Sequence, residues 1–142
     1  MNEQLQRLAS YGLACRDGNI LMARIGPSSK DDHGKWMLPG GKVEHGEHPR
    51  ATVIREFKEE TGYDITVGPL LDFDAEHRLL TNGTDLHAVF ALYEVEITGG
   101  TLTPTGHGSV DTCTWHPTPT LTTLPILPPI REMLGRLLPE SR

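Results

Sequence analysis

The chain has 142 residues, of which 37% are hydrophobic and 23% charged, and its formal charge is −6. That length suits a single domain, 1–142, with a core of its own, and no run approaches the roughly 18 apolar residues of a membrane span. The acidic balance argues against a polymeric nucleic-acid partner, which needs a clustered basic face, but allows a small anion bridged by a divalent cation.

The opening MNEQLQRL is no basic-then-apolar leader, so a cytoplasmic location is expected. Ala9–Arg16 and the run ILMAR flank Asp17-Gly18-Asn19, which predicts a hairpin about a D-G turn. Residues 25–35 are polar and rich in chain breakers, so they should form a loop. Pro49 suits a first helical turn and Gly62 the position past the last, which predicts a helix over His48–Thr61. Residues 64–77 read as a strand interrupted at Gly68-Pro69. Asn82-Gly83 reads as a turn, 87–97 as a strand, and 98–104 as a turn with a short strand. A loop over 106–111 and a strand over 112–116 follow. The prolines of 117–129 predict no regular structure, and 130–138 should form a closing amphipathic helix. Several strands with two separated helices predict an α+β fold, a mixed sheet with helices packed on it. Cys15 and Cys113 have no companions at metal-ligand spacing and are expected as reduced thiols in or near strands.

The first helix carries the pattern that points to chemistry. At about 100° per residue from Ala51, Glu59, Glu56 and Glu60 fall near 80°, 140° and 180°, while Val53, Phe57 and Ile54 fall between about 200° and 300°. An apolar stripe should pack on the sheet, with a carboxylate stripe beside it and Arg55 on the far side. Like charges at this spacing cost only about 0.2–0.5 kcal/mol per pair, so on the helix alone a solvated acidic face is an equal reading. The glycines upstream favour a metal. Mg²⁺ is usually held by one or two carboxylates plus substrate phosphates. The three glutamates are expected to converge on one point, where Gly40-Gly41 can bring a bare carbonyl.

This stretch resembles the signature of the Nudix (MutT-like) hydrolases, G-x5-E-x7-R-E-U-x-E-E-x-G-U, in which U is bulky and aliphatic. Here it reads Gly41, Glu47, Arg55-Glu56-Phe57, Glu59-Glu60, Gly62, Tyr63. Every charged and glycine position matches. The departures, Phe57 and Tyr63, are aromatic residues at packing positions. WMLPGG before it and LPPIREMLGRLL at the end are also similar to the family.

The resemblance implies a Nudix fold, an α/β/α sandwich with a mixed β-sheet between helices. It implies hydrolysis of a nucleoside diphosphate linked to a group X. Glu56, Glu59 and Glu60 would hold Mg²⁺, or alternatively Mn²⁺, with the Gly40 carbonyl. Arg55 would orient a box glutamate, and Glu47 would support the loop or an outer ion. Divalent ions make a diphosphate attackable by water without a covalent nucleophile, and the serines lie in no nucleophile motif.

Other candidates carry two readings each. Asp111, the acid in the loop before Trp115, is either a further ligand or general base or a solvated side chain, and so is Glu76. Trp36 either walls a base pocket or joins the core, and Gly41 shapes the substrate loop. Arg24 and Arg78 either reach phosphates or sit as surface charge. His45 and His48 flank Glu47 as loop histidines. The family marks of ADP-ribose or dinucleoside polyphosphate preference, a proline or a tyrosine past the box, do not stand near His77, Arg78 and Leu79. The expected substrate is therefore a (deoxy)nucleoside triphosphate, oxidised forms included. The alternatives are an ADP-ribose or nucleotide-sugar pyrophosphatase and a non-catalytic nucleotide-sensing domain. Small members of the family often pair, which makes a homodimer an expectation of the resemblance.

Overall fold

The computed structural model describes residues 2–103 and 107–139. Gly106, which begins one predicted loop, and Ser141 lie outside them. The elements are β1 (Gln4–Leu13), β2 (Cys15–Arg16), β3 (Asn19–Ile25), β4 (Trp36–Met37), β5 (Gly40–Lys42), α1 (Pro49–Thr61), β6 (Tyr63–Leu79), β7 (Asp85–Gly100), β8 (Val110–Pro117) and α2 (Pro128–Leu137).

The strands form two sheets. One is mixed, in the order β5-β1-β7-β6, with β1 and β7 parallel and the other pairs antiparallel. The second is antiparallel, with β2 and β4 on β3 and β8 also paired to β3. The predicted mixed sheet is therefore joined by a second sheet. The D-G turn joins β2 to β3, with Asp17 and Gly18 at φ 52° and 77°, the left-handed pair that a tight hairpin turn requires. Leu21, Leu38, Phe57, Leu92 and Met133 lie at the centre of the core, all 0% exposed. Gly12 lets α1 close on β1, since a Cβ there would stand 2.6 Å from the Phe57 ring. Phe57 and Tyr63 are both buried.

Several expectations shift. β1 begins at Gln4, because Gln4–Leu8 pair along β7 beyond the core with exposed side chains and so show no alternation. Gly68-Pro69 does not break β6. The strand absorbs it as register slips between Val67 and Leu70 and between Leu70 and Asp72, as a bulge does. β7 runs on through Gly100, so there is no separate strand at 101–103. Thr118–Thr122 form a 3₁₀ helix despite the prolines. Ile54 is 47% exposed rather than packed on the sheet. The buried arc of α1 instead runs through Val53, Phe57 and Glu60.

β6 has its unpaired side at the rim of the mixed sheet. There the amides of Phe73 and Ala75 donate to the carboxylates of Asp72 and Asp74, each at 2.8 Å. Arg136 of α2 grips both aspartates at 2.9 and 2.7 Å. Cys15 is exposed on β2 and Cys113 buried on β8. Among the described residues no helix is long and apolar enough to cross a membrane.

Candidate functional site

The site is built where the β5 glycines meet the last turns of α1. His48 caps the helix by accepting from the Arg50 amide at 3.0 Å, and Gly62 ends it in the left-handed region at φ 85°. Just before the helix, Glu47 accepts from the Glu44 amide, the Thr52 hydroxyl and the Nε and Nη2 of Arg55. These bonds, the Arg55 bond foremost, hold its carboxyl at about 2. Arg55 turns Nη1 to Glu56 at 2.9 Å and to Glu59 at 3.4 Å, and its bonds to Glu47 first and to Glu56 next raise its own pKa. One planar guanidinium thus ties the loop to the helix, a fork that lysine does not reproduce.

Glu60 is different. It is 4% exposed, and its Oε1 accepts the Gly40 amide at 2.9 Å. Burial raises its pKa well above the ordinary carboxylate value, and Glu56 and Glu59 add to the effect. Burial also raises Glu56, against the pull of Arg55. Among the described residues no cation lies within ion-pair distance of Glu60, whereas Glu59 has Arg55 and lies 3.6 Å from the His107 ring. The glycines permit this crowding. Gly40 sits at φ 148° with the Ser10 carbonyl 2.2 Å from where a Cβ would be, and a Cβ on Gly41 would meet the Glu56 carboxylate at 3.0 Å.

The three helix glutamates do not share one point. Glu56 and Glu59 turn to Arg55, Glu60 turns to Gly40, and among the described residues no three His, Cys, Asp or Glu side chains stand together at ligand distance. Glu56 and Glu59 share the Nη1 of Arg55, and Glu60 takes the Gly40 amide instead. The donor set nevertheless fits a hard divalent cation. All its groups are oxygen donors, and the buried Glu60 carboxylate has the Gly40 amide and, among the described residues, no ion-pair partner.

A cleft of about 400 Å³ opens from this corner, lined at one end by Gly40, Gly41 and Glu60 and at the other by Asp32, Glu76 and Arg78. Ala9, Tyr11, Ala88 and Phe90 line its floor, and Leu127 and Ile130 line the α2 side. Two larger hollows, of about 620 and 580 Å³, lie beside Arg16 and Glu94 and beside His77 and His87. Neither touches a glutamate of the signature, so the smaller cleft is the one that matters for its chemistry.

The remaining candidates divide. Glu76 and Arg78 line the cleft, and Arg78 is bound to Asp32 rather than exposed as free charge. Arg24 pairs with Asp111 at 2.9 Å and stacks 5.7 Å from the Trp36 ring, while Trp36 also meets His116 edge-on at 4.6 Å. These three form a cluster of their own outside the residues that line the cleft. Asp32 is a charged cleft residue that the sequence did not single out. It lies in the polar loop yet is 8% exposed. One signal for its partner exists in the sequence: Asp72, Asp74, Glu76 and Arg78 occupy every second position of a strand, which puts four charges on one face.

A family model described as the NUDIX domain matches residues 6–137. The chain is 40% identical over 72 residues to a protein of Escherichia coli named CTP pyrophosphohydrolase, covering 51% of this chain and 50% of that one. It is 38% identical over 72 residues to a protein of Proteus vulgaris named 8-oxo-dGTP diphosphatase, covering 51% and 63%. The chain thus spans about half the length of the E. coli relative it matches. In fold it is similar to the crystal structure of a MutT protein from Methanosarcina mazei Go1. The TM-score is 0.74 at 22% identity, with 99% of this chain and 98% of that one covered.

Proposed function

The chain belongs to the Nudix family, and on that premise we propose that it is a divalent-cation-dependent pyrophosphohydrolase acting on (deoxy)nucleoside triphosphates, oxidised forms included. The observation that carries this reading is the buried Glu60 carboxylate. It lines the cleft, with a glycine amide as its donor and no cation paired with it among the described residues. Glu56, Glu59 and Glu60 are the groups that would hold Mg²⁺ or Mn²⁺, helped by the Gly40 carbonyl. When bound, the ion supplies charge neutralisation of the diphosphate oxygens and a more acidic water.

The chain's own residues do the rest. Arg55 holds Glu56 and Glu47 in fixed orientations, the outer support on which metal ligands depend. Glu47 stays ionised and anchors the loop to the helix. Gly40 and Gly41 let the β5 backbone close on Ser10 and on the Glu56 carboxylate, which keeps the glutamates beside the β5 backbone. The relatives named for CTP and for 8-oxo-dGTP support a nucleoside triphosphate as the class. Trp36, Arg24 and Asp111 remain candidates for the outer substrate surface.

The test is phosphate and pyrophosphate release from a panel of nucleoside triphosphates, ADP-ribose and nucleotide sugars, with Glu60→Gln beside the parent protein. The reading expects cation-dependent release that the substitution abolishes. Equal turnover by a folded Glu60→Gln protein, or by a chelator-treated one, would overturn it.

A further inference from the structure

The far end of the cleft has a geometry that the diphosphate chemistry does not use. In register, Arg7 of β1, Ala88 of β7 and Glu76 of β6 form one row across the mixed sheet. Strands lie about 4.8 Å apart, so the outer two stand roughly 10 Å from each other. The small Ala88 between them, with Ala9 one row along, leaves a shallow apolar floor. Leu127 and Ile130 face it from the α2 side. A flat ring fits between apolar surfaces of this kind, and its polar edge then needs partners at the wall.

The wall supplies them in a fixed order. The Nη1 and Nη2 of Arg78 are taken by the Asp32 carboxylate at 3.0 and 2.5 Å. Burial works to raise the Asp32 pKa, but the Arg78 bonds hold it below its usual value, so this pair is charge-balanced and poorly suited to hold a phosphate. The same contact pins the 26–35 loop over the cleft, and Asp31 helps by accepting the Thr81 amide at 3.0 Å. That leaves the Arg78 Nε, which is buried without a hydrogen-bond partner. It lies at ion-pair distance, 3.3 Å, from a Glu76 oxygen without a well-formed hydrogen bond. An unmade donor beside a carboxylate that burial disfavours in its charged form is costly unless a ligand satisfies both.

The geometry points to a nucleobase seat on Ala88, in which Glu76 accepts from an amino group of the base and the Arg78 Nε donates to the ring acceptor beside it. This rests on the nucleotide reading above and deepens it. A carboxylate offers acceptors and an arginine offers donors. The wall therefore favours amino bases over their keto counterparts, cytosine over uracil and adenine over hypoxanthine, because the keto base presents donor and acceptor in the reverse order. Asp32 acts through Arg78 as a positioning residue.

The experiment compares kcat/KM for CTP against UTP, and for ATP against ITP, in the parent protein, Glu76→Gln, Glu76→Asp and Ala88→Leu. In parallel, calorimetry measures CMP and UMP binding in chelator. The parent should prefer the amino member of each pair. Glu76→Gln, which can donate as well as accept, should shrink that preference by at least about tenfold, and Glu76→Asp should retain part of it. Ala88→Leu should abolish CMP binding with the fold intact by circular dichroism. An unchanged amino-to-keto ratio in Glu76→Gln, or undiminished CMP binding by Ala88→Leu, overturns the base seat while leaving the hydrolase reading standing. Absence of turnover on every nucleotide overturns the hydrolase reading. The chelator measurement still decides the seat in that case, through CMP binding that Ala88→Leu abolishes or leaves intact.

Discussion

The two ends of the cleft hold charge in opposite ways. At the α1 end, Glu44, Glu47, Glu56 and Glu59 all lie within 4 Å of one guanidinium, that of Arg55, and Glu60 sits buried beyond its reach. At the β6 end, Asp32 and Glu76 face Lys35 and Arg78, so acids and bases match. An excess of buried carboxylate is unfavourable by itself and calls for a cation from outside. A balanced cluster calls for none, and its remaining polar atoms are free to read the shape and hydrogen-bond pattern of a neutral group. On the proposed reading, the difference separates two tasks along one groove: charge neutralisation at one end and recognition at the other.

The contrast breaks most decisively at Glu60. Glu60→Gln should lower kcat by at least about a hundredfold, yet leave the metal-free protein as stable as the parent or more so by thermal melting, since it removes a buried charge. A drop in both would mean that Glu60 is there for the fold. Next in size is Arg55→Lys, which keeps the charge and loses the fork. Apparent Mg²⁺ affinity should weaken by about 10–100-fold, as read from cation titrations of activity. No change would show that Glu56 and Glu47 need no orientation.

The balanced end should respond in stability before chemistry. Asp32→Asn should cost about 1.5–3 kcal/mol in denaturant unfolding, the scale of a hydrogen bond to a charged group. It should reduce kcat at saturating substrate far less than Glu60→Gln does. The smallest effect concerns pH. Glu47 has a folded pKa of about 2 against 4.5 unfolded. Its contribution is therefore complete above 4.5 and lost as pH falls toward 2. Glu47→Gln should flatten the acid limb of the stability curve in that window, and an unaltered limb would show that Arg55 does not hold it.

The α1 end was legible in the sequence because its parts are local. Glu47, Arg55, Glu56, Glu59 and Glu60 fall within fourteen positions, and Pro49 and Gly62 mark the helix that spaces them. The depth of Glu60 was not legible, since a helical wheel gives angles and not which arc the sheet covers. Ile54 was misplaced for the same reason. The β6 end was hidden by distance along the chain: Arg78 and Asp32 are 46 residues apart. A polar loop suggests solvent, but an aspartate that meets a half-buried arginine is drawn inward. Likewise, Gly68-Pro69 looks like a break only when the neighbouring strand that carries β6 across it is unknown.

The grip of Arg136 on Asp72 and Asp74 reaches beyond the cleft. Phe73 and Ala75 spend their amides on those aspartates, so along this stretch a foreign strand finds no donors to zip onto, and negative charge meets it first. The outermost ribbon of the sheet is thereby sheathed against templated aggregation, even though the Phe73 ring stands 59% exposed beside it. A second copy that docks here must do so face to face, not by lengthening the sheet.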